Sequence, residues 1–204
     1  MRNIPRVADW HQLNREADNT LVVIDRPAAG DGNRHYLTSL NASFDSTGLA
    51  EVNVAGLSSV NSESNDGVYA LDLTDTGVLD LTGDVFTVAG HGFANGDKVL
   101  LNMNGGTAPT GLVANTAYWI VSVSGDDFAL AATKGGSAIN MSGTQASFGT
   151  SADIMRVGLS FFVYDHFEME YTCPLEGAPN RDLIVTLGAV ASVQGLLNVS
   201  GYDR

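Results

Sequence analysis

Apolar and polar residues alternate in short runs along most of the chain, and glycine, asparagine, aspartate or proline closes each run. "NTLVVIDRP" reads as a compact strand, Thr20 to Asp25, stopped by Pro27 and the "AAGDG" turn. "RHYLTSLNASF" places Tyr36, Leu40, Ala42 and Phe44 on one strand face. "LAEVNVAGL" alternates again, and "SSVNSESNDG" is a polar loop before "VYALDL". Near the end, Leu183, Val185 and Leu187 face one way, and Leu197 and Val199 repeat the pattern. No segment sustains a helical period, so the predicted class is all-β.

Between Thr74 and Ser151 the texture changes to shorter strands with denser glycine turns. "TAYWIVSVSGDDFALAAT" predicts a hairpin: Tyr118 to Val123, a turn at Ser124 to Asp127, then Phe128 to Ala131. "KGGSAINMSGTQASF" predicts two more short strands. The stretch is self-sufficient in strands and turns, as an inserted domain would be. The expected organisation is an arm over 1–16, a discontinuous β-sandwich over 17–75 and 152–204, and an inserted small β-domain over 76–151. The arm is polar, holds Trp10 with Arg2, Arg6 and Arg15, and has room for one helical turn near Trp10. It lacks a sustained apolar face, so it is not expected to add to a sandwich core.

A formal charge of −13 repels phosphate backbones, so nucleic acid is not an expected partner. Cys173 is the only cysteine; it cannot form an internal disulfide and reads as a buried apolar residue. The start "MRNIPRVADWHQ" shows no apolar leader core, and no run approaches the length of a membrane span. Folding in a cytoplasm is the simplest expectation.

Three stretches hold residue types that could carry chemistry. "FTVAGHGFANGDKVLLNMNGG" has glycines and a lysine, but five residues separate Gly90 from Gly96, and Asp97 precedes Lys98, which Val99 follows. That is not a phosphate loop, which needs G-x-x-x-x-G-K-[ST] to set amides around the phosphates. His91 has no second ligand at zinc spacing and reads as a turn residue. Asp72, Asp75, Asp80 and Asp84 cluster as calcium ligands could, without the D-x-[DN]-x-[DN]-G loop; strand-end turns are the preferred reading. In "VYDHFEMEY", His166, Glu168 and Glu170 share one strand face and Phe167, Met169 and Tyr171 the other, an amphipathic strand and not a reaction centre. No catalytic residue, cofactor or metal is therefore assigned. The sequons at Asn41, Asn140 and Asn198 are attributed to the Ser- and Asn-rich composition.

One stretch carries a pattern of its own. His91-Gly92-Phe93, Gly96-Asp97-Lys98-Val99, Pro109-Thr110-Gly111-Leu112, Asn115-Thr116-Ala117-Tyr118-Trp119-Ile120 and Phe128-Ala129-Leu130, with Thr133, Gly135 and Gly136, follow one another in order. The series resembles a small β-module of tailed-bacteriophage virion proteins, with Ile120 departing from the usual valine. The flanks "HYLTSLNASF", "PLEGAPNRDLIVTLGA" and "GLLNVSGY" are similar, more weakly, to small β-sandwich virion proteins. The resemblance implies a jelly-roll-like sandwich carrying a barrel-like insert. It also implies a non-enzymatic structural protein made in a bacterial host and carried on the outer surface of the particle. A capsid decoration role is expected first, with a tail, neck or fibre component as the alternative. The implied partners are further copies of itself, a trimer by analogy, and the major capsid or another virion protein. Arg2, Arg6, Trp10 and Arg15 are the expected interface residues. A reading of a different class is a carbohydrate-binding attachment module, in which Tyr118 and Trp119 would stack on a sugar.

Overall fold

The computed structural model describes residues 10–16, 20–27, 33–57, 68–177 and 182–204. Its strands are Trp10–Arg15 (β1), Val22–Arg26 (β2), His35–Phe44 (β3), Leu49–Ala55 (β4), Val68–Leu71 (β5), Leu79–Asp80 (β6) and Val85–Thr87 (β7). They continue as Lys98–Asn102 (β8), Thr116–Ser124 (β9), Asp127–Ala131 (β10), Ala152–Tyr164 (β11), His166–Glu176 (β12), Leu183–Leu187 (β13) and Gly195–Asp203 (β14). Among the described residues the only helical element is a 3-10 turn, Gln145–Ser147. It occupies the stretch expected to hold two short strands. Among the described residues no helix is long and apolar enough to cross a membrane. The class is all-β.

The chain divides into two compact units, Met1–Ser58 with Gly158–Arg204, and Ser59–Val157. In the first, one sheet runs β1-β14-β3-β12 and the other β2-β13-β4-β11, the last through its C-terminal half. Strands β1 to β4 alternate between the sheets, and β11 to β14 pair back along them. This is the eight-stranded order of a jelly roll. The alternation seen in the sequence explains the packing. Leu183, Val185 and Leu187 of β13 and Leu197 and Val199 of β14 enter one core with Val52, Val54, Leu37 and Leu40. Phe167 and Tyr171 of β12 pack against it, while His166, Glu168 and Glu170 are exposed as expected.

One face assignment changes. Between β3 and β14 the register slips after Leu37↔Gly201 to Ser39↔Ser200, so Thr38 is an extra residue on β3. A bulge reverses the side on which later residues point. His35 and Leu37 are therefore buried with Leu40 and Ala42, whereas Tyr36 stacks on Tyr202 at 4.9 Å. A larger slip between Glu170 and Leu175 breaks the alternation of β12, and Cys173 is exposed rather than buried.

The second unit is larger than the stretch 76–151. Strand β5 and the start of β11 pair with one another, Leu71↔Ala152 through Val68↔Met155, and their Tyr69, Leu71, Ala152 and Ile154 join the module core. The strand path within it is β5-β11-β8-β9-β10-β7-β6. Leu79 of β6 and Tyr69 of β5, from opposite ends of that path, share one core with Phe86, Phe128, Ile120 and Leu101. The sheet thus wraps its core in a barrel-like way. The hairpin β9-β10 forms around a two-residue turn with Gly125 at φ +63°.

Glycine is required where the backbones meet most closely. Gly56 has φ +78°, and a Cβ there would overlap the carbonyl oxygen of Asp182. Gly56→Ala should therefore lower the stability of the sandwich by about 2 kcal/mol or more, read as a shift in the chemical-denaturation midpoint.

Candidate functional sites

The histidine-glycine loop is held from all sides by its own module. The Nδ1 of His91 accepts the Phe93 amide at 2.8 Å, an i+2 bond that closes the turn, while Gly90 and Gly92 take φ of +65° and +60°. Tyr69 donates its hydroxyl to the His91 carbonyl, and Arg156 donates to the Gly92 carbonyl at 3.1 Å. The imidazole is buried, 5.2 Å from the Phe93 ring and 5.0 Å from Phe128. Burial holds the Tyr69 hydroxyl above its usual range, partly offset by the Arg156 charge, so it stays a donor at neutral pH.

The rest of the motif follows the same logic. Asp97 accepts the Ala94 amide at 2.9 Å and pairs with Arg156 at 2.9 Å. Asn95 accepts the Val123 amide at 3.0 Å, and Gly96 takes φ +91° while donating to Ile120. Gly111 takes φ +102° where a Cβ would strike the Asn140 carbonyl. The motif specifies turns: His91 Nδ1, Asn95 and Asp97 all accept backbone amides of the same module, while His91 Nε2 and Asn115 Oδ1 are buried without a hydrogen-bond partner among the described residues.

The acidic cluster resolves into separate turns at Asp72, Asp75 and Asp80 and a bond to a distant segment at Asp84. Asp72 accepts from the Thr74 amide and hydroxyl, Asp75 from the Gly77 amide, Asp80 from the Thr82 amide and Asp84 from the Met141 amide. The Thr74 hydroxyl, then its amide, hold the Asp72 carboxyl below the usual range. Among the described residues no group of His, Cys, Asp and Glu is arranged to hold a metal ion.

Of the two aromatic residues proposed for sugar stacking, Tyr118 is buried, and its hydroxyl accepts the Val113 amide at 2.7 Å. It belongs to the core. Trp119 is half-buried on the opposite face of β9, with Lys98 across from it on β8 and Ala131 across from it on β10. The Nζ atoms of Lys98 and Lys134 lie 5.3 and 5.4 Å from its ring centre. The lysines bring positive charge to the aromatic face that a sugar would need.

The expected arm divides. Arg2 and Arg6 lie outside the described residues. Trp10 to Arg15 form a strand, not a helical turn, paired with β14 from Trp10↔Gly201 to Arg15↔Leu196. Trp10 is a core residue, 8% exposed, whereas Arg15 and Leu13 on the other side of the strand are exposed. A Cβ on Gly201 would strike the indole, so that glycine makes the room Trp10 fills. The indole Nε1 donates to Asp203 Oδ1 at 2.8 Å, and the Arg26 guanidinium lies 5.3 Å over the ring.

Asp203 also accepts from Arg26 at 2.7 Å and lies 2.7 Å from His35 Nδ1. Burial disfavours its ionisation, but the hydrogen bonds and charges of His35 and Arg26 prevail and hold the carboxyl below its usual range. A depressed carboxylate stabilises the fold above its unfolded pKa, about 4, and loses that contribution as pH falls through the folded value. Acid unfolding should therefore weaken in its pH dependence in Asp203→Asn, whose neutral-pH stability should fall towards that of the acidified parent. Thermal melts from about pH 7 to about pH 2.5 check this.

A feature that periodicity does not reveal is a patch on the outer face of the sandwich. Leu49 of β4 and Phe162 and Tyr164 of β11 are 57%, 69% and 63% exposed. The Gly48 amide donates to the Asp165 carboxylate and the Asp165 amide to the Gly48 carbonyl, which ties the β4 start to the β11 end. No protein-family model, curated protein or solved structure matches the chain.

Proposed function

We propose that this chain is a non-enzymatic structural protein of a tailed-bacteriophage particle, a decoration or cement protein on the outer surface of the head. The observation that carries the reading is the module pattern from His91 to Gly136, which resembles modules of such virion proteins. Its residues serve turns and core, so the pattern is a signature of a fold and not of a reaction. The jelly roll fits the reading, since capsid proteins use that architecture, although a fold by itself does not fix a function. The acidic charge suits a surface away from packaged DNA.

Assembly with further copies and with the shell requires a contact surface. The Leu49, Phe162 and Tyr164 patch is the kind of surface that partners cover. Arg15, with Arg2 and Arg6, supplies the positive charge for an acidic partner surface. Trp10, being core, is withdrawn from that role.

Particle purification followed by electron microscopy with a tagged chain tests the reading. Density on the capsid lattice supports decoration. Density at the neck, tail or fibre supports the alternative location, and absence from purified particles overturns both. Phe162→Ser with Tyr164→Ser should leave the fold intact and cut incorporation at least about tenfold if the patch is the contact.

A further inference from the structure

His35 is 1% exposed, and both of its ring nitrogens face acceptors. Nδ1 lies 2.7 Å from the Asp203 carboxylate, and Nε2 lies 2.8 Å from the Pro27 carbonyl oxygen. A neutral imidazole has one N–H and one lone pair, so it can satisfy only one of these partners. The geometry is that of an imidazolium. A lone pair held 2.8 Å from a carbonyl oxygen would be repelled, the more so at a buried ring.

We propose that His35 is a proton-operated clamp: doubly protonated, it ties the end of β2 at Pro27 to the end of β14 at Asp203, and loss of one proton releases Pro27. The charged groups around it fix which side opens. From β14, Asp203 keeps the Nδ1 proton, because Arg26 of β2 and the indole N–H of Trp10 of β1 hold that carboxylate in place. Arg34, next to His35, is turned away towards Glu176 of β12 at 3.2 Å and the Gly177 carbonyl. Arg204 lies over the Tyr202 ring on the outer face. Among the described residues Asp203 is the carboxylate bonded to the cationic ring, and the bond to the neutral Pro27 carbonyl is the weaker of the two. When the Nε2 proton leaves, the β2 end loosens, and with it the Arg26 guanidinium that covers Trp10.

The test uses the isotope-labelled full chain, titrated by NMR from about pH 6 to about pH 9.5. At the acidic end both ring nitrogens of His35 should report bound protons. As one is lost, the Pro27 carbonyl carbon should shift with the same midpoint. Exchange of the Arg26 and Leu183 amides, the last pair of β2 and β13, should accelerate at least about tenfold beyond the intrinsic pH effect. The Val54 and Val185 amides, at an interior pair of β4 and β13, should not follow. His35→Gln should make the Pro27 signal flat with pH, and the measurement on the parent chain stands if that variant does not fold. A single ring proton at about pH 6, a ring that keeps both protons to about pH 9.5, or a Pro27 signal that ignores the ring each rejects the clamp.

Discussion

Trp10→Ala should destabilise the sandwich by about 3–5 kcal/mol, the range for emptying an aromatic core site. The indole fills the space above Gly201, donates to Asp203 and lies beneath Arg26, so removing it opens a cavity and leaves a carboxylate short of a donor. For a unit of this size the melting temperature should drop by more than about 10 °C. Truncation through Arg15 should be worse, because it also strips the edge strand from β14. Circular dichroism melts of both variants are the measurement. A melting temperature within about 2 °C of the parent would mean that β1 is a passive tail.

The second large effect concerns where the module can be cut. Removing residues 76–151 should give an insoluble or molten product, whereas removing 59–157 and bridging with a short Gly-Ser linker should leave a folded jelly roll. The difference lies in Tyr69, Leu71, Leu73, Ala152 and Ile154, which the shorter excision strands without the core they pack in. Exposed apolar clusters of that size favour aggregation. Conversely, residues 59–157 alone should fold, and 76–151 alone should not. Paired near-ultraviolet spectra and dye binding distinguish these outcomes, and equal behaviour of the two cuts would refute the boundary.

These two expectations also mark how far the sequence could be read. The jelly-roll strands were legible because their alternation is strong: Leu183, Val185 and Leu187 need a core on one side whatever the partner. Strand β1 was not, because its inward row is Trp10, Gln12 and Asn14 while its outward row includes Leu13. Its place is fixed by Gly201 and Asp203, nearly 200 residues away, and no local period carries that. The module boundary failed for a related reason. The run at β5 and the start of β11 has the composition of sandwich strands, and it is the pairing of β11 with β5 on one side and β8 on the other that assigns them to the module. His91, Asp72, Asp75 and Asp80 are turn residues as read, because such residues act on neighbours two positions away, whereas Asp84 bonds the distant Met141 amide, which no local pattern carries. Tyr36 and Cys173 were misplaced by register shifts, which leave no mark in composition.

Lys98 and Lys134 are the only lysines in the chain, and both hold their amines near the Trp119 ring. Amine-directed conjugation thus has its side-chain targets gathered on one face of the module, with a built-in fluorophore between them. Acylation with a small reagent would neutralise both ammonium groups, so Trp119 emission should report the extent of labelling, with the exposed Lys134 reacting before the half-buried Lys98. A dye, biotin or gold cluster attached this way would mark the module rather than the jelly roll, which makes it a natural fiducial for finding the chain on a larger assembly.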